Sequence, residues 1–79
     1  MSPTVLREDG FRLVIYTRDH DPAHVHVFKA ENEAVIDIVP HVSVRNSWGY
    51  NQREVNRITQ IVADNVGHLR SEWSRIHHA

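Results

Sequence analysis

Seventy-nine residues with no cysteine, nine basic and ten acidic side chains and a formal charge of −1 describe one small, nearly neutral domain. That composition excludes a disulfide framework and a thiolate zinc site, and it provides no global field to attract nucleic acid. A chain of this length buries only about 60% of its unfolded surface, so a staple is expected, either a histidine-bound metal or a partner chain.

Seven histidines stand out in so short a chain; protonating all of them would take the formal charge from −1 to +6. Solubility and partner binding should therefore respond to pH between roughly 5 and 7. The start, Met1-Ser2-Pro3-Thr4, has no basic stretch leading into an apolar one, and no apolar run reaches membrane-spanning length. A cytoplasmic protein without membrane contact is the expectation, in keeping with the lack of cysteine.

In chain order, Val5 to Arg7 reads as a short strand closed by the turn signal Glu8-Asp9-Gly10. Phe11 to Tyr16 is the next strand, with Phe11, Leu13 and Ile15 forming an apolar face. The loop from Thr17 to Ala23 contains Pro22, which pushes Asp21 into an extended conformation. His24-Val25-His26-Val27-Phe28 alternates strictly, placing the valines on one side of a sheet and His24, His26 and Phe28 on the other. Ala30 to Glu33 looks like a hairpin turn, and Ala34 to Val39 returns as a strand ended by Pro40. His41 to Trp48 reads either as a short edge strand through Val42 and Val44 or as a crossover.

Val55, Ile58, Val62, Val66, Leu69, Trp73 and Ile76 recur at steps of 3, 4, 4, 3, 4 and 3, one apolar stripe along a helix. Asn51 can cap it, Glu54 completes a capping box, and Tyr50 with Val55 would staple its entry. A helix from Gln52 to Ile76 would be about 37 Å long, more than a small sheet can cover. Either it breaks near Gly67 into two, or its far end buries Trp73 and Ile76 against another chain; the unbroken phase of the stripe favours the second. The expected fold is α+β, with an antiparallel sheet of three to four strands packed on a long C-terminal helix.

Asp19-His20-Asp21-Pro22-Ala23-His24-Val25-His26-Val27 concentrates the chemistry. A His-x-His pair on a strand points two imidazoles the same way, suited to neighbouring positions on one metal ion. His20, or a carboxylate from Asp19 or Asp21, could supply a third ligand, as in zinc, manganese or iron sites that keep a position open. Such an ion would activate a water towards a phosphodiester or an acyl carbon. Without metal, His20, His24 and His26 could pass protons in RNA cleavage. The plainer alternative is a hydrogen-bonded polar cluster that fixes the loop or faces a partner. Asp19 alone reads as a turn-former. Arg12, Arg18 and Lys29, with Tyr16 and Phe28 for stacking, could form a local cationic patch for nucleic acid. Trp48 and Trp73 read as core or interface residues, His41 and His68 as surface residues, and His77 and His78 as a frayed end.

The Pro3-Thr4-Val5-Leu6 opening, the Gly10-Phe11-Arg12 strand start, the Asp19-His20-x-Pro22-x-His24-Val25-His26-Val27 core and the closing Glu72-Trp73 pair resemble the bacterial domain of unknown function 4160 family. The similarity spans essentially the whole chain, with Ala23 standing where a second proline is common. The resemblance implies a small bacterial protein paired with another, neighbour-encoded protein in an arrangement like a toxin–antitoxin or phage-borne module. The function expected is protein binding within such a module, with self-association as a dimer. A ribonuclease toxin centred on His20, His24 and His26 is the first alternative, and a nucleic-acid-binding regulator the second.

Overall fold

Five antiparallel strands are followed by two helices in the computed structural model, which describes residues 3–77. The strands β1 (Thr4–Glu8), β2 (Phe11–Val14), β3 (His24–Lys29), β4 (Asn32–Asp37) and β5 (Ser43–Trp48) form one sheet in sequence order. The first hairpin closes through Asp9 and Gly10, both at positive φ (53° and 82°), the backbone that a two-residue turn between twisted strands requires. A second tight turn at Ala30-Glu31 pairs Lys29 with Asn32 and thereby sets His26 opposite Val35.

Alternation divides the sheet into two faces. Leu13, Val25, Val27, Ala34 and Ile36 lie on the face that packs against the helices. There they join Ile58, Ile61, Val62 and Leu69 in the apolar core, most of these side chains having no exposed surface. The register places Arg12, Val14, His26, Phe28, Glu33, Val35, Asn46 and Trp48 on the opposite face.

The first helix, α1 (Gln52–Asp64), starts as its sequence signals. Asn51 Oδ1 accepts from the Glu54 backbone at 2.8 Å, and Glu54 Oε1 accepts from the Asn51 backbone at 3.0 Å. Tyr50 sits at the junction. Its ring lies 5.9 Å from Phe11, and its hydroxyl donates to the carbonyls of Val27 (3.0 Å) and Asn32 (3.3 Å). Burial, reinforced by Glu54, pushes the Tyr50 phenol up to about 12.

The single long helix is not formed. The chain breaks at Asn65, with φ −117° and ψ 15°, and resumes as α2 (Val66–His77). Asn65 makes the break without losing hydrogen bonds: its side chain donates to Ile61 at 2.8 Å, and its carbonyl accepts from Leu69 at 2.9 Å. The break near Gly67 is therefore present, at Asn65, with Gly67 itself inside the first turn of α2. The apolar phase survives because both segments face the same core.

Trp73 is buried within its own chain, 8% exposed, and Ile76 packs against the same cluster. The helix-end interface with another chain is thus corrected to a fold-back, which Arg70 secures by donating to the carbonyls of Ile38 (2.7 Å) and Pro40 (3.1 Å). The ambiguous stretch before the helices is a full fifth strand, one more than the upper expectation. No helix among the described residues is long and apolar enough to cross a membrane.

Candidate functional site

Strand β3 and the loop before it build the site. His24 opens the strand and His26 follows two residues on, so the alternation sends both rings off one side, with centroids 5.2 Å apart. The β2–β3 loop then brings Asp19 onto them. Its Oδ2 lies 3.3 Å from His24 Nε2 and 3.0 Å from His26 Nε2. The ligand atoms of the three residues all fall within 4.8 Å of one another, so they could share a metal ion.

The outer nitrogens are held as firmly. His24 Nδ1 is 2.9 Å from the Pro22 carbonyl oxygen, and His26 Nδ1 is 3.1 Å from Glu33 Oε2. Aromatic neighbours fix the ring planes. Tyr16 meets His26 edge-on at 4.9 Å, Phe28 lies parallel to it at 6.3 Å, and Trp73 lies 5.3 Å from His24. His24 is 5% exposed, so it is a buried polar group fully partnered by Asp19 and Pro22.

Several expectations are corrected here. Asp19 does form a turn, its backbone N–H donating to the Tyr16 carbonyl at 3.2 Å, but its carboxylate is also the centre of the cluster. Of the three residues offered for the third place, His20 and Asp21 are exposed and outside the converging group, and Asp19 fills it. The imidazole pair does project from the side opposite the α1 core, yet His24 is not left uncovered, because Trp73 of α2 reaches it. His77 is not frayed: it stacks on Trp73 at 3.9 Å and approaches the Tyr16 carbonyl at 3.0 Å. His78 lies outside the described residues. His41 and His68 are exposed, as read.

The cationic patch is not assembled. Arg12 lies over the Phe28 ring at 5.2 Å and donates to Thr4 at 3.3 Å, whereas Lys29 sits over Phe11, a ring of the opposite face. Arg18 lines a groove of about 730 Å³ that shares Asp19 and Tyr16 with the cluster and also includes Arg75. Arg75 is engaged by Glu72 at 2.9 and 3.0 Å, and those hydrogen bonds hold the Glu72 carboxyl below its ordinary value. Glu33 and Asp37 bring negative charge to the sheet face where nucleic-acid contact was expected.

Glu33 was missed as a member of the site. Its signal lies in the hairpin: the tight turn after Lys29 places His26 opposite Val35, which makes Glu33 its diagonal neighbour. Arg45 was missed as well. It donates to Asp37 at 2.9 Å and to the Pro22 carbonyl at 3.3 Å, tying β5 to the backbone group that orients His24.

No curated protein and no solved structure matches the chain. The family described as Domain of unknown function (DUF4160) matches residues 10–74, which include every member of the His–Asp cluster and both helices up to Ser74. The chain belongs to the DUF4160 family.

Proposed function

We propose that the chain is a small protein-binding module that works by protein–protein contact, as one component of a two-protein toxin–antitoxin-like or mobile-element system. The observation that carries this reading is the outer edge of β5. Five of its six residues are exposed, Val44 at 41% and Trp48 at 51%. The strand pairs with β4 on one side only. Edges of this kind offer a row of backbone donors and acceptors to an incoming strand, and native proteins usually blunt them with outward charge or proline. Here no proline interrupts the strand, its register shifts at Arg45, and the guanidinium of that residue, the strand's one charged group, is held by Asp37 and Pro22. A partner strand on β5 would also sense the histidine cluster through Arg45.

Co-expression with the neighbour-encoded protein tests the reading. The expected result is a complex in which β5 amides exchange more slowly than in the free chain, and which Val44→Lys with Trp48→Ser abolishes. Failure to form the complex, or a complex that leaves β5 exchange unchanged, would overturn it. Pairing of two β5 edges would appear instead as a homodimer lost in the same double variant.

A second reading, a histidine-centred or metal-dependent ribonuclease toxin, is favoured by the convergence of two Nε2 atoms on one carboxylate. Under that reading His26→Gln abolishes RNA cleavage and growth arrest in a folded chain. Wild-type protein without either activity would remove it.

A further inference from the structure

We infer that Asp19, His24 and His26 bind one divalent first-row transition ion through Asp19 Oδ2 and the two Nε2 atoms. The inference takes up the cluster on which the ribonuclease reading rests, but it requires no catalysis and its test follows the ion alone.

The convergence of three ligand atoms, with an acceptor behind each ring, carries it. A carbonyl oxygen only accepts, so His24 Nδ1, 2.9 Å from the Pro22 oxygen, bears the ring N–H. His26 Nδ1 faces Glu33 Oε2 at 3.1 Å, a carboxylate placed to accept the ring N–H when Nε2 is the ligating nitrogen. The other nitrogen of a neutral imidazole then presents a lone pair. Both of these Nε2 atoms approach the same atom, Asp19 Oδ2, itself an electron-pair donor. Three atoms able to donate electron pairs thus converge within 4.8 Å of one another, close enough for one divalent cation to draw ligands from all three.

The spacing agrees with this. Ligand bonds of about 2.0–2.1 Å give donor–donor edges of about 2.9 Å in an octahedron and about 3.3 Å in a tetrahedron. The two measured edges are 3.0 and 3.3 Å. Metal-ligating histidines characteristically donate the other ring N–H to a carbonyl or a carboxylate, which fixes ring orientation and raises ligand basicity. Pro22 and Glu33 occupy those two places. Two imidazoles with one carboxylate suit zinc and ferrous iron, with manganese as a further candidate, over magnesium or calcium. Asp19, the most exposed of the three with 21% of its side chain accessible, leaves the ion a way in.

The test is titration of the untagged full chain with Zn²⁺, Mn²⁺ and Fe²⁺ in turn, and Mg²⁺ as control, followed by calorimetry and thermal midpoint. One equivalent of Zn²⁺ should bind and raise the midpoint. Asp19→Asn and His26→Gln should each weaken binding by at least about tenfold, and Glu33→Gln by about 10–100-fold. Because His24 is buried and its replacement endangers the fold, Glu33→Gln, on a partly exposed side chain, is the decisive variant; its circular dichroism should remain that of wild type. His41→Ala, His68→Ala and His78→Ala together should leave affinity unchanged.

Two results would overturn the inference. One is no stoichiometric uptake of any of the three transition ions, which would make the cluster a hydrogen-bonded network alone. The other is uptake that survives Asp19→Asn and Glu33→Gln undiminished. Zn²⁺ binding without RNA cleavage would remove the ribonuclease reading and leave this one standing.

Discussion

Trp73→Ala tests how the fold closes over the site. Trp73 is 8% exposed, belongs to the central apolar cluster, stacks on His77 and lies 5.3 Å from the His24 ring. A tryptophan this deeply buried removes roughly 200 Å² from water, which at about 25 cal/mol per Å² is worth about 5 kcal/mol. Truncation to alanine in a core accordingly costs about 3–5 kcal/mol. A domain of this size holds only about 4–12 kcal/mol in total, so Trp73→Ala should leave the chain at or near its unfolding threshold. Trp73→Phe, which keeps a ring against His24, should retain a folded protein about 1–2 kcal/mol less stable. Urea unfolding at two protein concentrations provides the assay. Trp48→Phe isolates the Trp73 fluorescence, which should be blue-shifted and poorly quenched by acrylamide. If Trp73 instead served an interface between chains, Trp73→Ala would leave monomer stability intact and alter only a concentration-dependent transition. That result would refute the fold-back of α2.

Gly67 lies inside α2 with open space where a Cβ would project, so Gly67→Ala should raise stability by about 0.5–1 kcal/mol in thermal unfolding. Gly49→Ala should do the opposite, costing about 1–2 kcal/mol or more, because Gly49 has φ 88° and a Cβ there would collide with the Asn32 side chain. For Tyr50 the sign follows from its raised phenol value of about 12. The unfolded chain loses this proton near pH 10, before the folded one does. The contribution is therefore complete below pH 10 and is lost as pH rises towards 12, by about 1–2 kcal/mol in urea titrations, a decline that Tyr50→Phe should flatten.

Much of the architecture was legible because local signals agreed with the global fold. The β3 alternation, the Asp9-Gly10 turn and the Asn51–Glu54 capping box all appear where the residues place them. Helix continuity was misread because apolar phase reports which face is buried, not whether the backbone runs straight. Asn65 can interrupt a helix while supplying its own hydrogen bonds, and nothing in a periodicity distinguishes that from a continuous turn. β5 was only half legible, since Ser43-Val44-Arg45-Asn46-Ser47-Trp48 is an edge strand whose exposed residues lack the two-fold apolar pattern of a buried one.

At the site, His24 and His26 could be paired from their spacing, but the third member could not. His20 and Asp19 are adjacent in the loop, and only the loop's path decides which one turns inward. The outer partners of the rings were less visible still, because the Pro22 carbonyl has no side-chain signature and Glu33 is brought to His26 by hairpin register. Trp73 and His77 reach the site from the far end of the chain, a tertiary contact that no local pattern encodes.

X-ray absorption at the zinc edge, on protein loaded with one equivalent of Zn²⁺, tests the central claim most directly. The expected spectrum shows two imidazole nitrogens and at least one oxygen at about 2.0–2.1 Å, with the imidazole contribution about halved in His26→Gln. A spectrum with three imidazoles, or one with no imidazole contribution at all, would contradict it.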